Sequence, residues 1–185
     1  MEKLREPLAE CSLPAALESM GERWAFLIIR AAFNGLHHFE EFQSELGIAR
    51  NILANRLVRL TEHGILQREA MPDDRRKIQY TLTDKGAALL PTMIALRQWG
   101  ERWETCVPAF PILVDARDRR PIGDIAVHAH DGRVLKQTDL IWALPQDVAW
   151  DPAAADAAEP NAADAAAVES NAAAAAEPNA AAAAE

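Results

Sequence analysis

Cysteine is scarce in this chain: only Cys11 and Cys106 occur among its 185 residues. Two thiols do not make a disulfide framework, so the fold must rest on a hydrophobic core, and a reducing compartment fits. Half of the residues are hydrophobic, enough for such a core. Charge-free apolar runs of about 18 residues are also missing, apart from alanine tracts too weakly hydrophobic to span a bilayer. The opening Met1-Glu2-Lys3-Leu4-Arg5-Glu6-Pro7 is charged and has no apolar stretch, so no signal peptide is expected. The chain reads as soluble and cytoplasmic, without contact to a membrane. A phosphate-binding glycine loop, a metal-ligand constellation and an ordered nucleophile–base set are all lacking. These absences argue against an enzyme and against a cofactor.

Basic charge is in deficit overall, with a net charge of −9. Its distribution matters more than its sum. Residues 151–185 hold seven acids and no base; without them 21 acids face 19 bases. Between Ile48 and Lys85 the balance reverses, with eight bases against five acids. A local basic surface is what a nucleic-acid partner would meet.

Composition divides the chain into three parts: residues 1–106, mixed and periodic; 107–150, short β-like runs with turns; and 151–185, acidic alanine-rich low complexity. In the first part, Trp24 to Phe33 is almost wholly apolar and predicts a buried helix. Phe39, Phe42 and Leu46 predict a short amphipathic helix, and Leu53, Leu57 and Leu60 a third, ended by His63-Gly64. Ile65–Glu69 and Lys77–Leu82 predict two strands joined by a basic loop, a wing. Thr83-Asp84 caps a further helix carrying Leu89, Met93, Leu96, Gly100 and Trp103 on one stripe, with Pro91 a kink near its start. That apolar stripe packs against its own domain or forms a homodimer seam; because it exceeds what a small core easily covers, the seam is the favoured expectation. In the second part Asp131-Gly132 predicts a hairpin between Ile125–His130 and Arg133–Thr138. Ile112-Leu113-Val114 is a candidate strand. The third part has no bulky apolar side chains with which to offset ordering entropy, so disorder or fluctuating helix is expected.

The third helix is the candidate reading element. With Leu53, Leu57 and Leu60 inward, a wheel at about 100° per residue turns Asn51, Asn55, Val58, Arg59 and Glu62 outward. Asn pairs bidentately with adenine and Arg with guanine, so this face suits the base edges of double-stranded DNA. Arg50 stands at the helix start, where phosphate would run. Arg56 flanks the leucine stripe, suited to an internal ion pair or to a phosphate. Arg75, Arg76 and Lys77 at the wing tip suit phosphates or the minor groove.

Several stretches, in order, form a longer pattern. They run from Cys11 through Ala16–Trp24, with Gly21-Glu22-Arg23-Trp24 at its end, Phe39-Glu40-Glu41-Phe42 and Arg56-Leu57-Val58-Arg59-Leu60. They continue with His63-Gly64-Ile65-Leu66, Tyr80-Thr81-Leu82-Thr83, Lys85-Gly86 and Trp99-Gly100-Glu101-Arg102-Trp103. Together, over roughly residues 11–106, these stretches resemble the HxlR family of bacterial regulators. The resemblance implies a mainly α winged helix-turn-helix with a small β wing, dimerisation through the terminal helices, and binding to palindromic operators as a transcriptional regulator. In some members of that family a cysteine at this place senses oxidants, which makes Cys11, just ahead of a helix start, the candidate redox residue for a redox or small-molecule signal; the alternative is a half-buried inert thiol. The alternative to DNA binding is a winged helix used only for protein contacts.

The chain departs from the family pattern at three places. Ala49-Arg50 stands where Ser-Pro is common, and alanine is a poor N-cap, costing about 1 kcal/mol against serine. His37-His38 replaces an arginine. Arg75-Arg76 occupies the wing tip, where prolines are common. Residues 112–144 resemble the small zinc ribbon of some relatives, but its cysteines are absent. His128 and His130 do not make a structural zinc site.

Overall fold

The computed structural model describes residues 11–71, 74, 76–106 and 110–149. The expectations placed on residues 1–10 and 151–185, and on Arg75 at the wing tip, lie outside the described residues. The elements run α1 (Leu13–Met20), α2 (Arg23–Phe33), α3 (Phe39–Leu46), α4 (Arg50–Glu62), β1 (Leu66–Ala70), β2 (Ile78–Leu82), α5 (Asp84–Ala87) and α6 (Leu90–Gly100). This is a winged helix, mainly helical with one two-stranded sheet.

The core forms where the apolar stripes of consecutive helices meet. Buried α2 residues Ala25, Ile28, Ile29, Ala31 and Ala32 pack with Phe42 of α3 and Leu53, Leu57 and Leu60 of α4. Ile65, Leu66 and Tyr80 close it from the wing. Each fully buried Leu, Ile or Phe contributes about 1.5–3 kcal/mol. That core fixes the inward face of α4 and so dictates which residues turn outward.

The strands β1 and β2 are antiparallel, in register from Leu66 opposite Leu82 to Ala70 opposite Ile78. The connecting segment closes through Met71 N–H to the Lys77 carbonyl at 2.9 Å. A single bridge between His38 and Gln79 adds a short third rung from the chain ahead of α3.

Thr83 anchors the passage from the wing into α5. Its hydroxyl accepts the Gly86 N–H at 3.1 Å and donates to the Gly64 carbonyl at 2.6 Å. A Cβ on Gly86 would lie 2.2 Å from the Ile65 carbonyl oxygen, so only glycine lets α5 sit this close to the start of the wing. Pro91 does more than kink the last helix: the helical run breaks at Leu89, and α6 begins with the proline in its first turn. The end of α6 widens into a π-helical turn, Glu101–Thr105.

The extension carries bridges rather than ladders. Val114 pairs with Pro121 and His128 with Val134, each as an isolated bridge. The Asp131-Gly132 turn forms, with Gly132 at φ 84° and the Ala129 N–H bonded to the Arg133 carbonyl at 2.8 Å. The flanking strands expected there shrink to this bridge, because Val127 and Val134 are exposed and, among the described residues, no second layer covers them. The segment leans on α6 instead. Gln98 donates to the Gly123 carbonyl at 3.0 Å and accepts from the Ile125 N–H at 2.8 Å. Arg102 pairs with Asp124 at 2.9 Å. Residues 142–149 fall in a separate unit, in which Pro145–Asp147 makes a 3-10 turn. Among the described residues no helix is long and apolar enough to cross a membrane.

Candidate nucleic-acid interface

Helix α4 begins at Arg50 with Ala49 at its N-cap, and no side chain caps it. Its inner face is the buried triad Leu53, Leu57 and Leu60. Asn51, Asn55, Val58 and Glu62 are exposed on the other side, and Arg59 is half-buried at its margin. Two amide side chains and a guanidinium, all on a helix whose back is locked into the core, present hydrogen-bonding groups outward with little freedom of the helix itself. Ile52 and Val58 add exposed apolar surface to that face, of the kind that can meet a thymine methyl.

The arginines divide into different roles. The Arg50 guanidinium lies over the Phe39 ring, 4.7 Å from its centroid. Arg56 turns away from solvent and pairs with Glu22, its side chain only 18% exposed. Arg59 lies 3.7 Å from the other oxygen of the same carboxylate. Of the two uses open to Arg56, the geometry supplies the internal ion pair. Sequence periodicity could not reveal this, because Glu22 lies on a different element. The signal was present only as an acid within Gly21-Glu22-Arg23-Trp24 and an arginine beside the leucine stripe.

On the wing, the Arg76 side chain is 93% exposed, and its Nε sits 3.3 Å from Asp74. An exposed pair of this kind is worth at most about 1 kcal/mol and does not hold the cation back from a stronger anion. Arg68 and Lys77 are exposed as well. A cleft whose charged lining is Arg50, Arg76, Lys77 and one acid, Glu40, brings the start of α4 and the wing together. Three cations from two elements thus share one concave surface.

Beside that cleft, the His37 and His38 rings are tied to backbone carbonyls of β2. The Nδ1 of His37 is 3.3 Å from the Tyr80 carbonyl and that of His38 is 3.0 Å from the Ile78 carbonyl. A carbonyl can only accept, so both Nδ1 atoms donate. The pair ties the start of α3 to β2. Glu41 completes the joint by accepting the backbone N–H groups of His37 and His38 at 2.8 and 2.9 Å. Those two hydrogen bonds hold its carboxyl below the usual glutamate range.

The stripe expected to form a seam divides along its length. Leu89 and Met93 pack against the core of their own chain. Leu96 is 50% exposed and Trp103 66% exposed, with Trp99 beside them also open. Gly100 is half-buried between them. Cys11 is half-buried ahead of α1, with Ser12 between it and the helix. In the extension the His128 Nδ1 is 3.0 Å from the Gly132 carbonyl, and Asp131 pairs with Arg133. The Arg133 N–H and guanidinium hold the Asp131 carboxyl below its ordinary value. Among the described residues no three His, Cys, Asp or Glu side chains converge as a metal site would require.

Comparison with known proteins places this geometry. Residues 19–107 match the HxlR-like helix-turn-helix family. Over 92 residues the chain is 39% identical to Rv3095 of Mycobacterium tuberculosis, named an uncharacterized HTH-type transcriptional regulator, across 50% of this chain and 58% of that protein. The chain thus spans well under two thirds of that relative's length. It is 33% identical over 89 residues to YvaP of Bacillus subtilis, also named an uncharacterized HTH-type transcriptional regulator, across 48% of this chain and 82% of YvaP. The crystal structure of PA1607, a candidate transcription factor, is similar with a TM-score of 0.69 and 39% identity, covering 74% of this chain and 96% of that one. Residues 1–106 alone are too few to make up such a share, so this likeness reaches into the extension. With its ordered helices, its wing and these relatives, the chain belongs to the HxlR-like helix-turn-helix family.

Proposed function

We propose that the chain is a DNA-binding transcriptional regulator, not an enzyme, that docks as a homodimer on a palindromic operator in the cytoplasm. The observation that carries this reading is the outward face of α4: Asn51, Asn55 and Arg59 stand opposite a buried leucine triad, beside a cleft shared with the wing cations. In the major groove Asn55 and Arg59 meet base edges, and Arg50, Arg76 and Lys77 meet phosphates. Arg75 joins the wing contacts by its place in the sequence. Arg56 acts from behind, as the partner of Glu22. The names of the relatives support the same reading.

The second copy docks along α6. Leu96, Trp99 and Trp103 leave an apolar, aromatic face exposed on a single chain, and a two-fold interface buries such a face against itself. Leu89 and Met93 contribute from the core side, and Gly100 allows close approach. A small-molecule or oxidant signal, with Cys11 as its sensor, is the regulatory part of the proposal. Gel shift with duplex selected by the protein from a randomised pool tests the whole reading. Enrichment of a two-fold symmetric sequence, with affinity falling steeply as salt rises, supports it. Absence of any enriched sequence leaves the protein-contact alternative.

A further inference from the structure

Glu22 has two partners, both on the helix proposed to read DNA, and this double engagement has a functional meaning. The carboxylate is delivered by a rigid turn. Gly21 fits only because it has no side chain: a Cβ there would lie 2.0 Å from the Leu17 carbonyl oxygen of α1. Glu22 then adopts extended backbone, φ −126° and ψ 143°, and its carbonyl accepts the Ala25 N–H at 2.9 Å as α2 begins. From this fixed point one carboxylate oxygen binds Arg56 closely, and the other lies 3.7 Å from Arg59.

The two arginines are not equivalent. The Arg56 side chain is 18% exposed, and its Nε is buried without a hydrogen-bond partner. A charge so placed needs its counter-ion, and removing the counter-ion would leave it uncompensated. Arg59 is 42% exposed, its contact is long, and on the wheel it lies between Asn55 and Arg56. It is therefore placed where it can turn either to Glu22 or to the outward face. An exposed, long ion pair is weak enough to exchange.

The geometry points to Glu22 as a specificity-determining residue. It holds Arg56 off the phosphate backbone and retains Arg59 until a base edge offers it two good hydrogen bonds. Random DNA, offering mostly phosphates, meets two neutralised guanidiniums and a carboxylate. The correct base competes successfully, because a bidentate Arg–guanine contact is stronger than an exposed ion pair. Glu22 touches no base itself; it acts through Arg59. This role rests on the reading of α4 as the DNA-contacting helix.

The test compares wild type with Glu22→Gln on two probes, a duplex enriched by the wild type from a randomised pool and an unselected duplex, each titrated over a range of salt. The Gln variant binds unselected duplex about three- to tenfold more tightly at low salt, with a slope steeper by about 0.9 for each phosphate newly met. Its preference for the selected duplex falls about fivefold or more. Adding Arg59→Ala removes part of the gained slope, and Glu22→Asp, which keeps the charge, keeps the wild-type slope. Should Glu22→Gln melt too low to measure, the double variant Glu22→Gln, Arg56→Met removes the stranded charge with its partner, and the freed Arg59 alone must still steepen the slope. Weaker binding to both probes with an unchanged slope marks Glu22 as merely structural and overturns the inference, as does a full gain that survives Arg59→Ala. A wild type that enriches no sequence overturns the reading of α4 itself, a distinct outcome.

Discussion

Phe39 and Arg50 are joined as ring and cation: the guanidinium rests over the aromatic face at 4.7 Å from its centroid. One residue opens α3 and the other opens α4, so the stack spans the turn between the two helices. It aims an uncapped helix start toward the wing cleft. Replacing Phe39 by Leu preserves bulk but removes the ring. Stability falls modestly, and DNA affinity drops by about 0.5–1 kcal/mol through a less ordered Arg50. Anisotropy titration together with a melting curve separates the two effects.

The joint between α3 and the wing titrates in acid. The carboxyl of Glu41 ionises more easily in the folded chain than in the unfolded one. Its charge therefore stabilises the fold above the unfolded value, and this contribution is lost as pH falls through the lower folded value. Glu41→Gln keeps an acceptor but loses the charge. The stability gap between wild type and Glu41→Gln is constant near neutral pH and closes as pH falls below the ordinary glutamate range. Urea melts at several pH values check the sign.

Gly86 is a steric prediction. Its backbone passes so close to the Ile65 carbonyl that a methyl group would have to displace one of them. Gly86→Ala costs about 1–3 kcal/mol in denaturant melts, although alanine is the better helix former.

Much of this was legible in the sequence because it depends on local periodicity. The leucines of α4, the Thr83 cap and the wing all derive from spacings of two to four residues. What was not legible depends on contacts between distant segments. Glu22 and Arg56 are 34 positions apart, and nothing in either neighbourhood assigns one to the other. His37 and His38 stood out in the sequence only as a replacement for an arginine, and their bonds to β2 carbonyls some 40 residues away had no local signal. The stripe on α6 read as one continuous surface. Its first half, Leu89 and Met93, joins the core, and only its second half stays open. The alternation at residues 125–138 promised strands, but alternation alone does not supply the second layer that a ladder needs.

That open half of α6 carries the dimer prediction. Leu96 is half exposed in the single chain, so Leu96→Glu leaves the monomer fold intact while placing a charge in the seam. Light scattering at micromolar concentration reads a dimer for wild type and a monomer for the variant. A wild type that is already monomeric rules the seam out.

The docking of α4 and wing on DNA is the central claim, and Asn55→Ala and Arg76→Ala test it together. Asn55 faces outward from α4, and Arg76 is almost fully exposed on the wing. Both variants should melt like wild type, since neither side chain is buried. A base contact and a phosphate contact then leave different marks. Losing Asn55 lowers affinity for the selected operator by about 1–3 kcal/mol per protomer and relaxes the choice of base at its position. Losing Arg76 weakens selected and unselected duplex alike and flattens the salt slope by about one per protomer. The most direct measurement is therefore a salt titration of both folded variants on both duplexes. Separation of specificity loss in Asn55→Ala from slope loss in Arg76→Ala is the predicted result; wild-type affinity and slope in both variants would contradict the account.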